Sequence, residues 1–217
     1  MEFAMFMLMS SLEYIAMITL MFSVFRFNFR GFIPHTIFIC ILQSYISYTI
    51  RDAGFPQFAP TVQMIVFIVC IVLLYRVHWY YSFIMGVVGY QGYLTVQAFL
   101  LFLAISFGMI GPDEAQYDNL RGILIVLLSA AIPIALAIFM RYRGWGYTFV
   151  PTSEHIRIEL KGVNLMILCL LIVGVVVSGV SVVYFSEVVV YYGLSFLQLL
   201  VLLFLLRYAQ KKEMQDV

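Results

Sequence analysis

The chain has 217 residues, of which 64% are hydrophobic and only 11% are charged. A soluble domain has about 45 to 50% apolar and about 25% charged residues, so this chain has too little polar surface to cover a protein in water. The composition therefore excludes a soluble globular protein and predicts that lipid surrounds most of the chain. The net charge of +1 does not indicate a basic face, so we expect no nucleic-acid partner.

Seven apolar stretches are long enough to cross a bilayer, because a transmembrane helix needs about 20 mostly apolar residues. Short charged or turn-forming clusters separate them. We predict an all-α, multi-pass membrane protein with seven transmembrane helices in a single domain. The predicted spans cover residues 3–25, 32–50, 60–75, 80–108, 120–140, 162–183 and 188–206, and residues 207–217 form a short cytoplasmic tail.

The fourth span is the longest, and Gly86, Gly89 and Gly92 lie in its first half. Its length predicts a tilted or kinked helix. The glycine spacing superficially matches a nucleotide-binding loop, but these residues lie within an apolar span and follow no strand. Small residues in such a setting indicate close approach of a neighbouring helix.

The basic residues predict the orientation, because Lys and Arg in short loops stay on the cytoplasmic side. In the seven-span arrangement ten of the twelve basic residues fall on one side, and only Arg51 and Arg121 fall on the other. We therefore expect the N-terminus outside, the C-terminus inside, and a location in the cell membrane. A signal peptide begins with positively charged residues, whereas this chain has Glu2 there, so we expect the first span to be retained.

The longest connection between spans runs over residues 141–161 and has two features. Trp145, Tyr147 and Phe149 are typical of residues at a membrane interface. Over residues 156–161 apolar and charged side chains alternate, which fits either a short strand or an interfacial segment.

Glu13 lies near the centre of the first span. An ionisable group at mid-bilayer costs at least about 2.5 kcal/mol, so such a residue normally faces protein or water and is a functional candidate. A proton-coupled step, a ligand contact, and a structural hydrogen bond to a neighbouring Gln or Tyr all remain possible roles for this residue.

Other spans carry polar residues three or four positions apart, a spacing that places them on one helix face. With the predicted orientation most of these residues lie at mid-depth or in the outer half, and we predict that they line a polar cavity open to the outside. The alternative is that they only hold helices together. The candidate ligand-binding residues are Glu13, Gln43, Ser47, Tyr90, Tyr93, Gln97, Ser195 and Gln198.

Patterns of intramembrane and hydrolytic catalysis are absent from the sequence, including His-Glu-x-x-His and Gly-x-Ser-x-Gly. His35, His78 and His155 are widely spaced, without the separations of metal ligands. We therefore expect that the chain is not an enzyme, has no catalytic residues, and needs no metal or cofactor.

The chain resembles the membrane sensor region of bacterial peptide-pheromone receptor histidine kinases of the accessory-gene-regulator type. The resemblance rests on the seven spans, on the polar residues in their outer half, and on the basic residues that follow the last span within residues 207–216. The resemblance covers the whole chain. It implies an extracellular ligand, often a secreted peptide, whose binding moves the last helix and resets a cytoplasmic kinase. The eleven residues that follow Leu206 in this sequence contain no kinase domain. We expect a sensor region alone, or one that signals through a separate kinase or another membrane protein, as a homo-oligomer.

Two other classes of protein fit part of the pattern. Seven spans with an outside N-terminus are also the plan of SWEET-type sugar carriers, which pair two three-helix repeats around a linker helix. Residues 63–76 resemble residues 198–207, since each stretch begins with Gln and continues as an apolar run to Arg. Of the mid-helix prolines of that family, however, this chain has only Pro133. The third class is an accessory or immunity protein that acts by helix packing.

The predicted topology places Asp113 and Arg143 on opposite sides of the membrane. Single cysteines at these two positions, in a variant without native cysteines, should react with a membrane-impermeant thiol reagent from different sides. Labelling of both positions from the same side would contradict the seven-span arrangement.

Overall fold

The computed structural model describes residues 3–27, 30–108, 120–150, 161–183 and 188–216. These residues form seven long helices, with no strand in the described part of the chain. Each helix is long and apolar enough to cross a membrane, which confirms the all-α class and the seven spans. The N-out orientation stays a prediction. The helices are α1 (Phe3–Val24), α2 (Ile33–Asp52), α3 (Ala59–Tyr75), α4 (Trp79–Ser106), α5 (Leu120–Arg143), α6 (Val163–Val183) and α7 (Val188–Asp216).

Helix α7 extends ten residues beyond the predicted span, which ended at Leu206. Its 29 residues give a length of about 43 Å at about 1.5 Å per residue, more than the roughly 30 Å of a bilayer core. The additional residues are rich in Arg, Ala, Gln, Lys and Glu, which are strong helix formers. The predicted tail is thus the continuation of a transmembrane helix.

One end of the bundle carries most of the charged side chains, and we call it the basic end. It is formed by the last residues of α1, α3, α5 and α7 and the first residues of α2, α4 and α6. Arg26, Arg76, Arg141, Arg143 and Arg207 lie there. Aromatic rings join α1, α3 and the turn before α2 at this end: the ring centroid of Tyr75 is 5.1 Å from that of Phe22 and 5.3 Å from that of Phe32.

Residues 144–150, which follow α5, fold under the basic end and contact α1. The backbone N–H of Tyr147 donates to the carbonyl of Val24 at 2.7 Å. Gly146 has a φ of +132°, and a Cβ there would lie 2.7 Å from the Ser23 carbonyl oxygen, so only glycine fits. The guanidinium of Arg141 donates to the Phe27 carbonyl at 3.0 Å.

Of the three aromatic residues predicted at the interface, Trp145 is exposed, Tyr147 is half-buried and Phe149 is buried. Phe149 packs against the rings of Phe25 and Tyr81. The predicted strand or interfacial segment over 156–161 lies outside the described residues, except for Lys161.

Helix α4 is the central helix, because it packs against α1, α3, α5, α6 and α7. Every residue from Ile84 to Gln91 is buried, as expected for a helix enclosed on all sides. The glycines permit this packing, as the sequence predicted. A Cβ at Gly89 would lie 2.8 Å from the Cβ of Met21 on α1, and one at Gly86 would lie 2.7 Å from Ile68 on α3.

We expect Gly89→Ala to lower the free energy of unfolding by about 1 to 3 kcal/mol, because the added methyl group meets the Cβ of Met21 and must push α1 from α4. Thermal unfolding of the purified chain in detergent measures this change. Gly193→Ala on α7 is the matched control, since a Cβ there has no neighbour within 4 Å. Equal melting temperatures of the two variants would show that the α1–α4 contact tolerates a side chain.

Candidate functional site

The predicted ligand-binding residues on α1, α2 and α4 are polar side chains that are buried or half-buried between helices. We call Glu13, Gln43, Tyr90, Tyr93 and Gln97 the polar cluster. Glu13 is the eleventh of the 22 residues of α1 and therefore lies at mid-depth. The Gln97 amide nitrogen on α4 donates to a Glu13 carboxyl oxygen at 3.4 Å, and both side chains are half-buried. This contact joins the first helix to the central helix.

Tyr90 and Tyr93 extend the cluster towards α3 and α5. The Tyr90 hydroxyl donates to the Pro60 carbonyl at 3.2 Å. The hydroxyl oxygens of Tyr93 and Ser129 lie 3.3 Å apart. Both tyrosines are less than 10% exposed, so their phenol groups are held within the bundle.

Gln43 connects α2 with α3. Its amide nitrogen donates to the Gln63 carbonyl at 3.0 Å, whereas its amide oxygen is buried without a hydrogen-bond partner among the described residues. The side chain is 0% exposed. A buried amide oxygen without a donor costs free energy, so Gln43 retains an unused acceptor inside the bundle.

Ser47, Ser195 and Gln198 complete the predicted set. Ser47 is buried on α2, one turn from Gln43. Ser195 is half-buried and Gln198 is buried, and both belong to α7, which packs along α4 where the Phe102 and Tyr192 rings meet at 5.1 Å. The amide nitrogen of Gln198 is buried without a hydrogen-bond partner among the described residues.

Helices pack around most of the polar cluster, so among the described residues its buried members do not line a cavity open to the outside. Gln43, Tyr90 and Tyr93 are buried, and Glu13 and Gln97 are its more accessible members. An open groove of about 440 Å3 lies elsewhere, on the half of α7 near the basic end. Its lining is mainly apolar and consists of Tyr147, Leu200, Leu203, Phe204, Leu206, Arg207 and Gln210.

Sequence reasoning missed a second group of polar contacts, at the basic end. Lys212 belongs to the predicted cytoplasmic tail, and its side chain is only 4% exposed. Its ammonium donates to the Asn164 side-chain oxygen at 2.9 Å and lies over the rings of Tyr80, Tyr81 and Phe149. The only signals in the sequence were the adjacent tyrosines at the start of α4 and a lone Asn at the start of α6.

Glu213, the next residue along α7, also contacts the segment 144–150. A carboxyl oxygen of Glu213 accepts from the backbone N–H of Thr148 at 2.9 Å and from its hydroxyl at 2.7 Å. The Tyr147 hydroxyl donates to the Leu206 carbonyl at 2.8 Å. Burial, and then the negative charge of Glu213, raise the pKa of Tyr147, so this phenol stays protonated at neutral pH and keeps its donor. Residues 144–150 therefore hold the end of α7.

A scan against protein-family models matched no family, and searches of curated proteins and of solved structures found no match. The function is therefore inferred from the geometry of the chain itself.

The Glu13–Gln97 contact predicts how substitutions at Glu13 act on stability. Glu13→Gln keeps an oxygen that accepts from Gln97, whereas Glu13→Leu removes it and leaves the amide without this acceptor. We expect thermal unfolding in detergent to show a loss of about 1 kcal/mol or more for Glu13→Leu and a smaller loss for Glu13→Gln. Gln210→Leu, at an exposed position of α7, is the control. Equal losses in both Glu13 variants would show that the charge of Glu13, rather than its hydrogen bond, stabilises the bundle.

Proposed function

We propose that the chain is a membrane sensor that binds an extracellular ligand at the polar cluster and relays this event through α7 to a cytoplasmic partner. One observation carries the proposal: α4 contributes both to the polar cluster and to the contacts that hold the end of α7. Tyr90 lies just before the midpoint of α4, Tyr93 and Gln97 lie in its second half, and Tyr80 and Tyr81 lie in its first turn.

The chemistry of the polar cluster suits a ligand that is itself rich in hydrogen-bonding groups. Glu13 offers a carboxyl group, Gln43 and Gln97 offer amides, and Tyr90 and Tyr93 offer phenols. Backbone amides and carbonyls of a short peptide match these groups, and an amine on the ligand would pair with Glu13. A small polar molecule with amine and carbonyl groups is the simplest case of the same chemistry.

The half-buried members of the cluster define where such a ligand first makes contact. Glu13 and Gln97 lie on α1 and α4 and bond to each other. A ligand that takes over one of these bonds weakens the link between the two helices. For this to produce a signal, the ligand must bind one arrangement of the helices more tightly than the other.

Helix α7 is the element suited to carry the response out of the membrane. It packs against α4 and continues unbroken to Asp216, a length that exceeds the bilayer core. A displacement of α7 relative to α4 therefore changes the position of its basic end. We propose a kinase module or another membrane protein as the recipient, with the chain in the cell membrane as a homo-oligomer.

The proposal predicts that a ligand added at one end changes the surroundings of residues at the other. Trp79 and Trp145 are the only tryptophans, and both lie at the basic end, exposed at 52% and 58%. With the chain in lipid vesicles, the low-molecular-weight fraction of medium conditioned by the source cells should shift their fluorescence emission. Gln97→Leu should weaken this response roughly tenfold or more, since it removes a donor from the site.

Gln210→Leu is the matched control for this experiment, because it makes the same replacement at an exposed position. An equal response in the wild type and Gln97→Leu would remove the polar cluster from ligand binding. Accumulation of a solute in the same vesicles without any change in emission would favour a transporter instead.

A further inference from the structure

The ammonium group of Lys212 lies in a site made by three separate parts of the chain. Its nitrogen is 4.9 Å from the ring centroid of Tyr80, 4.6 Å from that of Tyr81 and 5.5 Å from that of Phe149. The side-chain oxygen of Asn164 accepts a hydrogen bond from it at 2.9 Å. Helix α4, helix α6 and residues 144–150 thus meet around one side chain of α7.

These contacts are of the kind that a cation requires when it leaves water. A lysine ammonium within about 6 Å of an aromatic ring face is attracted by the ring, and the attraction grows as water is excluded. Lysine is seldom fully buried unless its charge has partners, and Lys212 is 4% exposed. The Asn164 oxygen supplies a strong acceptor, because hydrogen bonds to a charged donor are stronger than neutral ones.

The acceptor itself is held in place. The Tyr80 hydroxyl donates to the backbone carbonyl of Asn164 at 3.0 Å and lies 3.4 Å from its side-chain oxygen. The same tyrosine therefore contributes its ring to the cation and its hydroxyl to the residue that binds the cation. This double role fixes the start of α6 against the start of α4.

We propose that Tyr80, Tyr81, Phe149 and Asn164 form a cation-binding site for a primary ammonium, with Lys212 as its tethered ligand. Occupation of this cation cage latches the end of α7 to the bundle. Lys211, the neighbour with the same charge, is exposed. Position 212 is therefore distinguished from position 211 by the cage and not by charge or by place in the tail.

The latch goes beyond the proposed sensor function and does not require it. Where the sensor function holds, the cage is a contact that ligand binding must weaken for α7 to move. Both experiments measure the contacts of Lys212 without any signalling ligand. A negative result for the latch therefore leaves the sensor function untouched, and the reverse also holds.

The first test measures the mobility of the end of α7. A spin label is attached at Met214→Cys, a position that is 69% exposed, after Cys40, Cys70 and Cys169 have been replaced. The full chain is placed in lipid nanodiscs, and its electron paramagnetic resonance spectrum gives the ratio of immobile to mobile label. Lys212→Met, which keeps an unbranched side chain one atom shorter and removes the charge, should lower this ratio roughly tenfold.

Lys211→Met is the matched control, because it removes the same charge from an exposed side chain, and it should leave the spectrum unchanged. Tyr81→Leu removes one ring of the cage and should reproduce the effect of Lys212→Met. If Lys212→Met retains the immobile spectrum of the wild type, apolar packing alone holds the helix end and the cation cage is wrong.

The second test asks whether the emptied cage binds a free cation. In Lys212→Ala the probe is n-propylammonium chloride, whose ammonium and three-carbon chain match the part of the lysine side chain that alanine lacks. Its addition should raise the melting temperature of this variant more than sodium chloride at equal ionic strength, and the wild type should show no such difference. Equal effects of the two salts on Lys212→Ala would overturn the proposal.

Discussion

The close packing of α4 inside the bundle is the constraint on which the remaining arrangement depends. Residues 84–91 of this helix are buried on every side, and the absence of side chains at Gly86 and Gly89 brings α3 and α1 against it. A helix enclosed in this way has few alternative positions, because interiors are packed without free volume. Its polar residues are therefore placed accurately at two depths: Tyr80 and Tyr81 at the basic end, and Tyr90, Tyr93 and Gln97 further along.

Lipid as a solvent explains why the polar side chains of the spans pair with each other. In a bilayer core no water is present to hydrogen-bond with a buried amide or hydroxyl group. A hydrogen bond to a neighbouring helix therefore lowers the free energy of such a group. Gln97 contacts Glu13, Gln43 contacts the Gln63 backbone, and Tyr93 contacts Ser129. Structural and ligand-binding roles of these residues are thus compatible. A ligand that enters must replace the hydrogen bonds it breaks, which selects ligands with many donors and acceptors.

The sequence predicted the seven spans well, since a span follows from the properties of a single helix. Mean composition identifies a stretch that lipid accepts, and helical spacing places Tyr90, Tyr93 and Gln97 on related faces. The partners were not predictable, because Glu13 and Gln97 are 84 positions apart and pair only after α1 meets α4. The hydropathy pattern also placed the end of the last span at Leu206. The helix itself continues, because the charged residues that follow are good helix formers. The burial of Lys212 depends on three distant segments that no local pattern relates.

The contacts at the end of α7 restrict rotation as well as displacement. Lys212 and Glu213 are consecutive, so their side chains leave the helix about 100° apart around its axis. One enters the cage that contains Phe149, and the other accepts two hydrogen bonds from Thr148. Two directions of attachment to the same segment leave little freedom for a gradual turn of the helix. A movement of α7 that breaks one of these contacts also disturbs the other, because consecutive residues make them, and packed interfaces tend to switch between discrete arrangements instead of sliding. A helix held in this manner is suited to a response that is either absent or complete.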